Sequence, residues 1–366
     1  MISIRLRRTA TGKTQRGRRA AVPTARNRGL LSGVPRRGMI LGAVALVAAV
    51  WTAQSAGALT YFRIGTGDAS GTFFAIGSAI AGAISNPPGT RACDVGGSCG
   101  VPDLIAVAQT SQGSIDNIRA IEAGQIESGL GQADLVYWAS IGESVFRDNG
   151  PMQNLRAIAN LYQESVHIVT RKHGGIWTID DLAGRRIAVG PEDSDTRVTA
   201  RLILAAYGLK ESQYEPVFAT LADATRMLEA GTIDAIFTLG PHPIPAIADL
   251  AGTTPIHLIP LDDPVTEKLR EQYSFLAVDV IPENLYSGVD ATVTLGIGAL
   301  WLVNANLDPE LVYEVTKSLW HPATRAILDE AGPIGKQLHR ETALASLPIP
   351  LHPGAARYYA ETADQR

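Results

Sequence analysis

The sequence predicts an α/β protein with mainly parallel sheets, and three observations predict it. Short apolar runs such as Leu104-Ile-Ala-Val-Ala-Gln109 and Ile233-Asp-Ala-Ile-Phe-Thr-Leu-Gly240 suit strands buried in a parallel sheet. Between such runs lie stretches with apolar residues at helical spacing, for example Ile115, Ile118 and Ile121. Glycine-rich or hydroxyl-rich loops join each strand end to the next helix start. Strand alternating with helix implies parallel strands flanked by helices. With 366 residues, 46% of them hydrophobic, the chain can build one large unit or two domains.

The first element is Arg63-Ile-Gly-Thr-Gly-Asp-Ala-Ser-Gly-Thr-Phe-Phe-Ala-Ile-Gly77, a strand, a glycine loop and the start of a helix. Phe73, Ile76 or Gly77, Ile80 and Ile84 would face its core. Asn86-Pro-Pro-Gly89 breaks the chain, and Leu104–Gln109 is the next strand. The polar loop Gln109-Thr-Ser-Gln-Gly-Ser114 leads into a helix that stops at Gly124. Ser128-Gly-Leu-Gly-Gln132 ends a further strand, and Asp134 opens another helix. Two strand-like runs follow, near Arg156–Ala159 and Val166–Thr170.

A second series with the same grammar runs from about 172 to 260. Thr178-Ile-Asp-Asp181 reads as a capping box and Arg186–Gly190 as a strand. The helix after Pro191–Thr196 would turn Val198, Leu202, Ile203 and Ala206 inward and close at Gly208. Val217–Ala219 is a strand, Asp223 can cap the next helix, and Pro241-His-Pro-Ile-Pro245 is a stiff turn. A helix near Val265 to Glu271, an extended run from Phe275 to Tyr286 and an apolar stretch from Thr292 to Val303 come next. From Asp308 on, the pattern is helical with proline breaks.

Charge is unevenly placed. Residues 1–58 hold eleven Lys or Arg and no acid, leaving 21 basic against 36 acidic residues beyond, a formal charge of −15. Arg36-Arg37, an apolar run of about a dozen residues from Met39 to Trp51, and Ala56-Gly57-Ala58 read as a secretory signal cleaved near Ala58, with an uncleaved amino-terminal anchor as the alternative. The run is short for a membrane span, which needs roughly 20 residues. An exported chain meets an oxidising compartment, so Cys93 and Cys99 are expected to form a disulfide.

Several chemistries fail on spacing. After Gly65-x-Gly67 the next glycine comes four residues on, at Gly71, where a dinucleotide fingerprint needs three, and the ribose-binding acid is missing. No Lys follows Gly71 to make a phosphate loop. There is no G-x-S-x-G elbow, and the seven histidines are scattered singly without metal-ligand spacing. An acidic body disfavours nucleic acid. No cofactor and no metal are expected. What remains is a set of polar, uncharged residues where strands end and helices begin. Singly, each reads as a helix cap; together, in an exported chain, they point to one shared cleft.

Ile64-Gly-Thr-Gly with Gly71-Thr-Phe-Phe, Cys99–Asn117, Gln132-Ala-Asp134, Asp181–Gly190, Ser194–Thr199 and Leu351–Tyr359 together resemble the TAXI-type solute-binding proteins of tripartite ATP-independent periplasmic (TRAP) transporters. The resemblance spans Leu59 to Tyr359. It implies a type II periplasmic-binding-protein fold, two lobes joined by two crossover strands, with residues 59–165 and 275–366 in the first and 166–274 in the second. It implies a monomeric, non-enzymatic periplasmic receptor that hands a small carboxylate or amino acid to a membrane permease. A ligand-sensing partner of a membrane receptor kinase would use the same cleft. The ligand-binding residues expected are Thr66, Gly67, Thr72, Phe73, Thr110, Ser111, Gly113, Ser114, Gln132, Ser194, Thr196, Gly240 and His242. Two departures bear on the ligand. Phe73 stands where a tyrosine is expected, and Asp195 stands in a loop that often reads Ser-Gly-Thr. An Asp195 facing the cleft would disfavour a simple dicarboxylate and favour an amino group or a neutral polar moiety.

Overall fold

The computed structural model describes residues 59–69 and 71–363. The leader and its cleavage site lie outside the described residues. No helix among the described residues is long and apolar enough to cross a membrane.

The first βα series is β1 (Thr60–Gly65), α1 (Thr72–Ile84), β2 (Leu104–Gln109), α2 (Ser114–Glu122), β3 (Ser128–Gln132) and α3 (Ala133–Ile141). The crossover strand β4 (Leu155–Arg171) follows. The second series is β5 (Arg186–Ala188), α4 (Asp195–Ala206), β6 (Glu215–Val217), α5 (Leu221–Glu229), β7 (Ala235–Gly240) and α6 (Pro245–Thr253). Then come β8 (Ile256–Leu258), α7 (Pro264–Gln272), β9 (Leu276–Ile281) and β10 (Thr292–Asn304), with α8 (Pro309–Leu319), α9 (Arg325–Glu330) and α10 (Pro353–Glu361) at the end.

Ten strands form one sheet in the order β2-β1-β3-β10-β4-β7-β5-β6, with β8 on β4 and β9 on β10. Within each series the pairs are parallel, β1 with β2 and β3, and β5 with β6 and β7. Every antiparallel pair involves β4 or β10. Each half therefore repeats one plan: second strand, first, third, then an antiparallel crossover strand. This is the α/β fold of two lobes joined by two crossover strands.

The runs Arg156–Ala159 and Val166–Thr170 belong to the single strand β4. Its first part pairs with β10 from Leu155 to Ser165, and its last part with β7 from Ser165 to Thr170. Register shifts at Ala299/Leu300 and Trp301/Leu302 bend the β4–β10 ladder.

One apolar cluster packs α1, α8 and α10 on the first half, around Phe62, Ile80, Trp301 and Val315. Another gathers Val169, Ile236, Ile247 and Tyr286 in the second half. A third is continuous across both, from Ile118 and Leu135 to Ile203 and Phe237. That continuity explains a departure on α4. Its buried residues are Thr199, Ala200, Ile203 and Leu204 rather than the full set Val198, Leu202, Ile203 and Ala206, because this face meets α3 of the other half. Asp223 does not cap α5; Thr220 does, accepting from the Asp223 N–H. Asp181 accepts from the Thr178 backbone and hydroxyl, but the hydroxyl donates where a capping box needs it to accept from the Asp181 N–H, so only half of that box forms. Cys93 and Cys99 are joined in a disulfide.

Candidate functional site

In open α/β sheets the place for a ligand is outside the carboxyl ends of parallel strands, where helix starts present unpaired N–H groups. Here β1 ends at Gly65, β3 at Gln132, β5 at Ala188 and β7 at Gly240, and the start of α4 reaches the starts of α2 and α3.

The centre of this meeting is acidic. Asp195, in the first turn of α4, reaches over to α2, and its Oδ2 accepts from the Ser114 N–H at 2.9 Å. The approach needs Gly113, which has φ 116° and whose missing Cβ would lie 3.0 Å from Asp195 Oδ2. One helical turn on, Thr199 donates to Asp134 Oδ2 at 2.6 Å, while Asp134 Oδ1 accepts from its own Leu135 N–H at 2.8 Å. Residues 195 and 199 share a helix face, so two bonds from α4 tie the halves together. On the adjacent side, Gln132 Nε2 donates to Glu164 Oε2 at 2.6 Å.

Burial pushes all three carboxyls up. Asp134 rises to about 6, against the bonds from Thr199 and Leu135 that favour its charged form. Glu164 rises to about 7, with the charges of Asp195 and Asp134 adding to burial and the Gln132 bond opposing it. Asp195 is also raised by burial, although the start of α2 stabilises its charge.

The expected residues divide. Ser114, Gln132 and Gly113 stand in this junction: the Ser114 hydroxyl accepts from the Gln132 N–H at 3.1 Å. Thr66 and Ser111 brace the β1 and β2 loops. Thr66 donates to the Gln109 carbonyl at 2.7 Å, and Ser111 donates to the Thr66 carbonyl at 3.1 Å. Gly67 is buried, while Thr72 and Phe73 are half-buried at the start of α1. Ser194 is engaged with its own helix, accepting from Arg197 N–H and donating to the Pro191 carbonyl at 2.7 Å. Thr196 packs under Gly190. Thr110 is exposed and, with Ser111, lines a cavity of about 730 Å³ beside α2 rather than the junction. Gly240 is buried at the end of β7.

His242 takes part in another cluster. Its Nδ1 lies 2.8 Å from the Ser165 hydroxyl, which donates to Asp279 Oδ2 at 2.5 Å. These three are the residue types of a hydrolytic triad, but the hydroxyl proton is committed to Asp279 and Ser165 is 1% exposed. The arrangement ties β4 to β9 and does not activate a nucleophile.

Sequence reasoning did not place Glu164 or Thr199 in the site, and it left the direction of Asp195 open. The signal for Glu164 was present: Gln163-Glu164-Ser165 interrupts two apolar strand runs with three polar residues, which a purely structural strand avoids.

With the geometry established, a model of the NMT1-like family matches residues 64–362. The chain belongs to the NMT1-like family. This NMT1-like chain is also similar to several solved structures. The aliphatic sulphonate binding protein of Escherichia coli has 14% identity over 82% of this chain and 78% of that one, at a TM-score of 0.41. A TctC solute binding protein from Polaromonas has 16% identity over 84% and 99%, at 0.45. An ABC transporter periplasmic substrate-binding protein from Coxiella burnetii has 16% identity over 78% and 99%, at 0.42.

Proposed function

We propose that this NMT1-like protein is an exported receptor that captures a small organic acid or amino acid between its lobes and delivers it to a TRAP-type permease. The observation that carries this reading is the junction of α4 with α2 and α3. Two helix starts from one half and one from the other converge at strand ends, joined by polar bonds and by crossover strands that allow hinged closure. The resemblance to TAXI-type proteins supports the TRAP partner. We place the lobe boundaries near Ser165 and Phe275, the former where β4 changes partner from β10 to β7. Ser114, Gln132 and Gly113 form the base of the binding site in this reading, with Thr66, Gly67, Thr72 and Phe73 on the α1 side. Periplasmic residence follows from the amino-terminal signal pattern.

Ligand that binds only the folded chain stabilises it by mass action, about 2.7 kcal/mol at a hundredfold excess over Kd. A thermal-shift screen of carboxylates and amino acids with the mature chain is expected to give at least one large shift. Deleting the gene is expected to remove uptake of that solute. A screen with no shift, together with uptake unchanged by deletion, refutes the receptor.

A further inference from the structure

Glu164 and Gln132 are both more than nine-tenths buried, yet Gln132 presents an acceptor without a donor. The Gln132 amide spends its Nε2 on Glu164 Oε2 at 2.6 Å, which leaves Gln132 Oε1 buried with no hydrogen-bond partner. A native protein rarely leaves such an oxygen unpaired. Beside it lies the Glu164 carboxylate, and the negative charges of Asp134 and Asp195 reach Glu164 and add to its affinity for a proton. Among the described residues no Lys, Arg or His lies within 4.0 Å of any of them. Their oxygens do not gather within 4.8 Å of one another, as a single metal ion would require. The other two carboxylates already have donors: Asp195 the start of α2, Asp134 the Thr199 hydroxyl. The open demand is therefore at Gln132 Oε1, beside the Glu164 carboxylate, for a compact group that carries an N–H donor and positive charge. A carboxylate brought there would meet acceptors and like charge.

We propose that Glu164 and Gln132 bind the ammonium group of the ligand, with Asp134 and Asp195 supplying the surrounding negative field, so that the solute is an amino compound and its des-amino counterpart is rejected. This deepens the receptor reading and rests on it. Ammonium is donor-only and cationic, the complement of an amide oxygen beside a carboxylate. A site built to pair a donor rejects the analogue lacking it, because its own polar groups stay unpaired.

The test is calorimetric titration of the mature chain with pairs that differ only in the amino group, glutamate against glutarate and leucine against 4-methylpentanoate, plus putrescine as an amine without carboxylate. At least one amine is expected to bind, and an amino acid to bind at least tenfold tighter than its des-amino partner. Glu164→Gln is expected to shrink that preference below threefold, with circular dichroism reporting that the variant folds; if it does not fold, the wild-type pairs decide alone. Equal or tighter binding of glutarate or 4-methylpentanoate overturns the ammonium site and leaves the receptor standing. A preference unchanged in folded Glu164→Gln also overturns it. If no compound binds and the natively purified protein carries no small molecule by mass spectrometry, both readings fall.

Discussion

At the scale of single residues, the three interlobe acids make stability depend on pH in a direction opposite to that of ion-paired carboxylates. In the folded chain Asp134 holds its proton up to about 6 and Glu164 up to about 7, above their ordinary values of 3.8 and 4.5. The folded state thus binds more protons than the unfolded one across this window. Their contribution is complete below about pH 4 and is lost as pH rises through about 6 and 7. Asp195 acts in the same sense, and Asp116 on α2 adds to its burden. Glu164→Gln is expected to stabilise the ligand-free chain at pH 8 by on the order of 2 kcal/mol, while leaving it nearly unchanged at pH 4. Urea melts at both pH values measure this, and equal shifts at the two would contradict it. Gly113→Ala combines a left-handed backbone with a contact on Asp195. It is expected to destabilise by about 1–2 kcal/mol and to separate Asp195 from α2.

At the scale of elements, α4 is the connection between halves. Thr199→Val keeps the shape of the side chain but leaves the buried Asp134 oxygen without its donor, at about 1–3 kcal/mol. The loss is expected in denaturant melts, and small-angle scattering of the ligand-free variant is expected to show a larger radius of gyration. The loop Cys93–Cys99 lies between α1 and β2, at the opposite ends of the strands from the junction. Closing so short a loop restricts the unfolded chain by about 2 kcal/mol. Replacing both cysteines with serine is expected to lower stability by no more than that and to leave solute affinity unchanged. The strand β10 carries Trp301, fully buried and edge-on to Phe62 with ring centroids 6.3 Å apart. Trp301→Ala is expected to cost about 3–5 kcal/mol, seen as an early unfolding midpoint.

At the scale of the whole molecule, two copies of one strand order share a single sheet through β4 and β10. In the receptor reading proposed above, the two antiparallel strands that cross between the halves are where closure would bend, with the parallel βα units on either side kept whole. The apolar cluster that runs from Ile118 to Ile203, with the Asp195–Ser114 and Thr199–Asp134 bonds beside it, stabilises the halves in contact, while burial of the carboxylates makes that contact weaker as they ionise. Solute that supplies positive charge there would change the balance. Scattering with and without a solute found by thermal shift is expected to show compaction on binding; an unchanged radius would mean that the halves are already locked.

What the sequence by itself determined is local. Apolar runs bounded by glycine loops specify strands, the four-residue spacing of Ile76, Ile80 and Ile84 specifies α1, and alternation of the two specifies parallel pairing, because each of these depends on neighbours along the chain. The same locality made Gly113, Ser114 and Gln132 legible as residues at strand ends and helix starts. It failed where the partner is distant. Whether Asp195 turns to solvent or to Ser114, 81 residues away, is decided by the packing of α4 on α3, and no pattern near Asp195 encodes it. Glu164 and Gln132 meet only because β4 and β3 flank β10 in one sheet. Asp223 read as the cap of α5, which Thr220 supplies, because a carboxylate and a hydroxyl near a helix start have the same signature. Tertiary structure decided which halves touch and which carboxylates share one low-dielectric space, since burial and Coulombic coupling depend on distances that only the folded chain brings about.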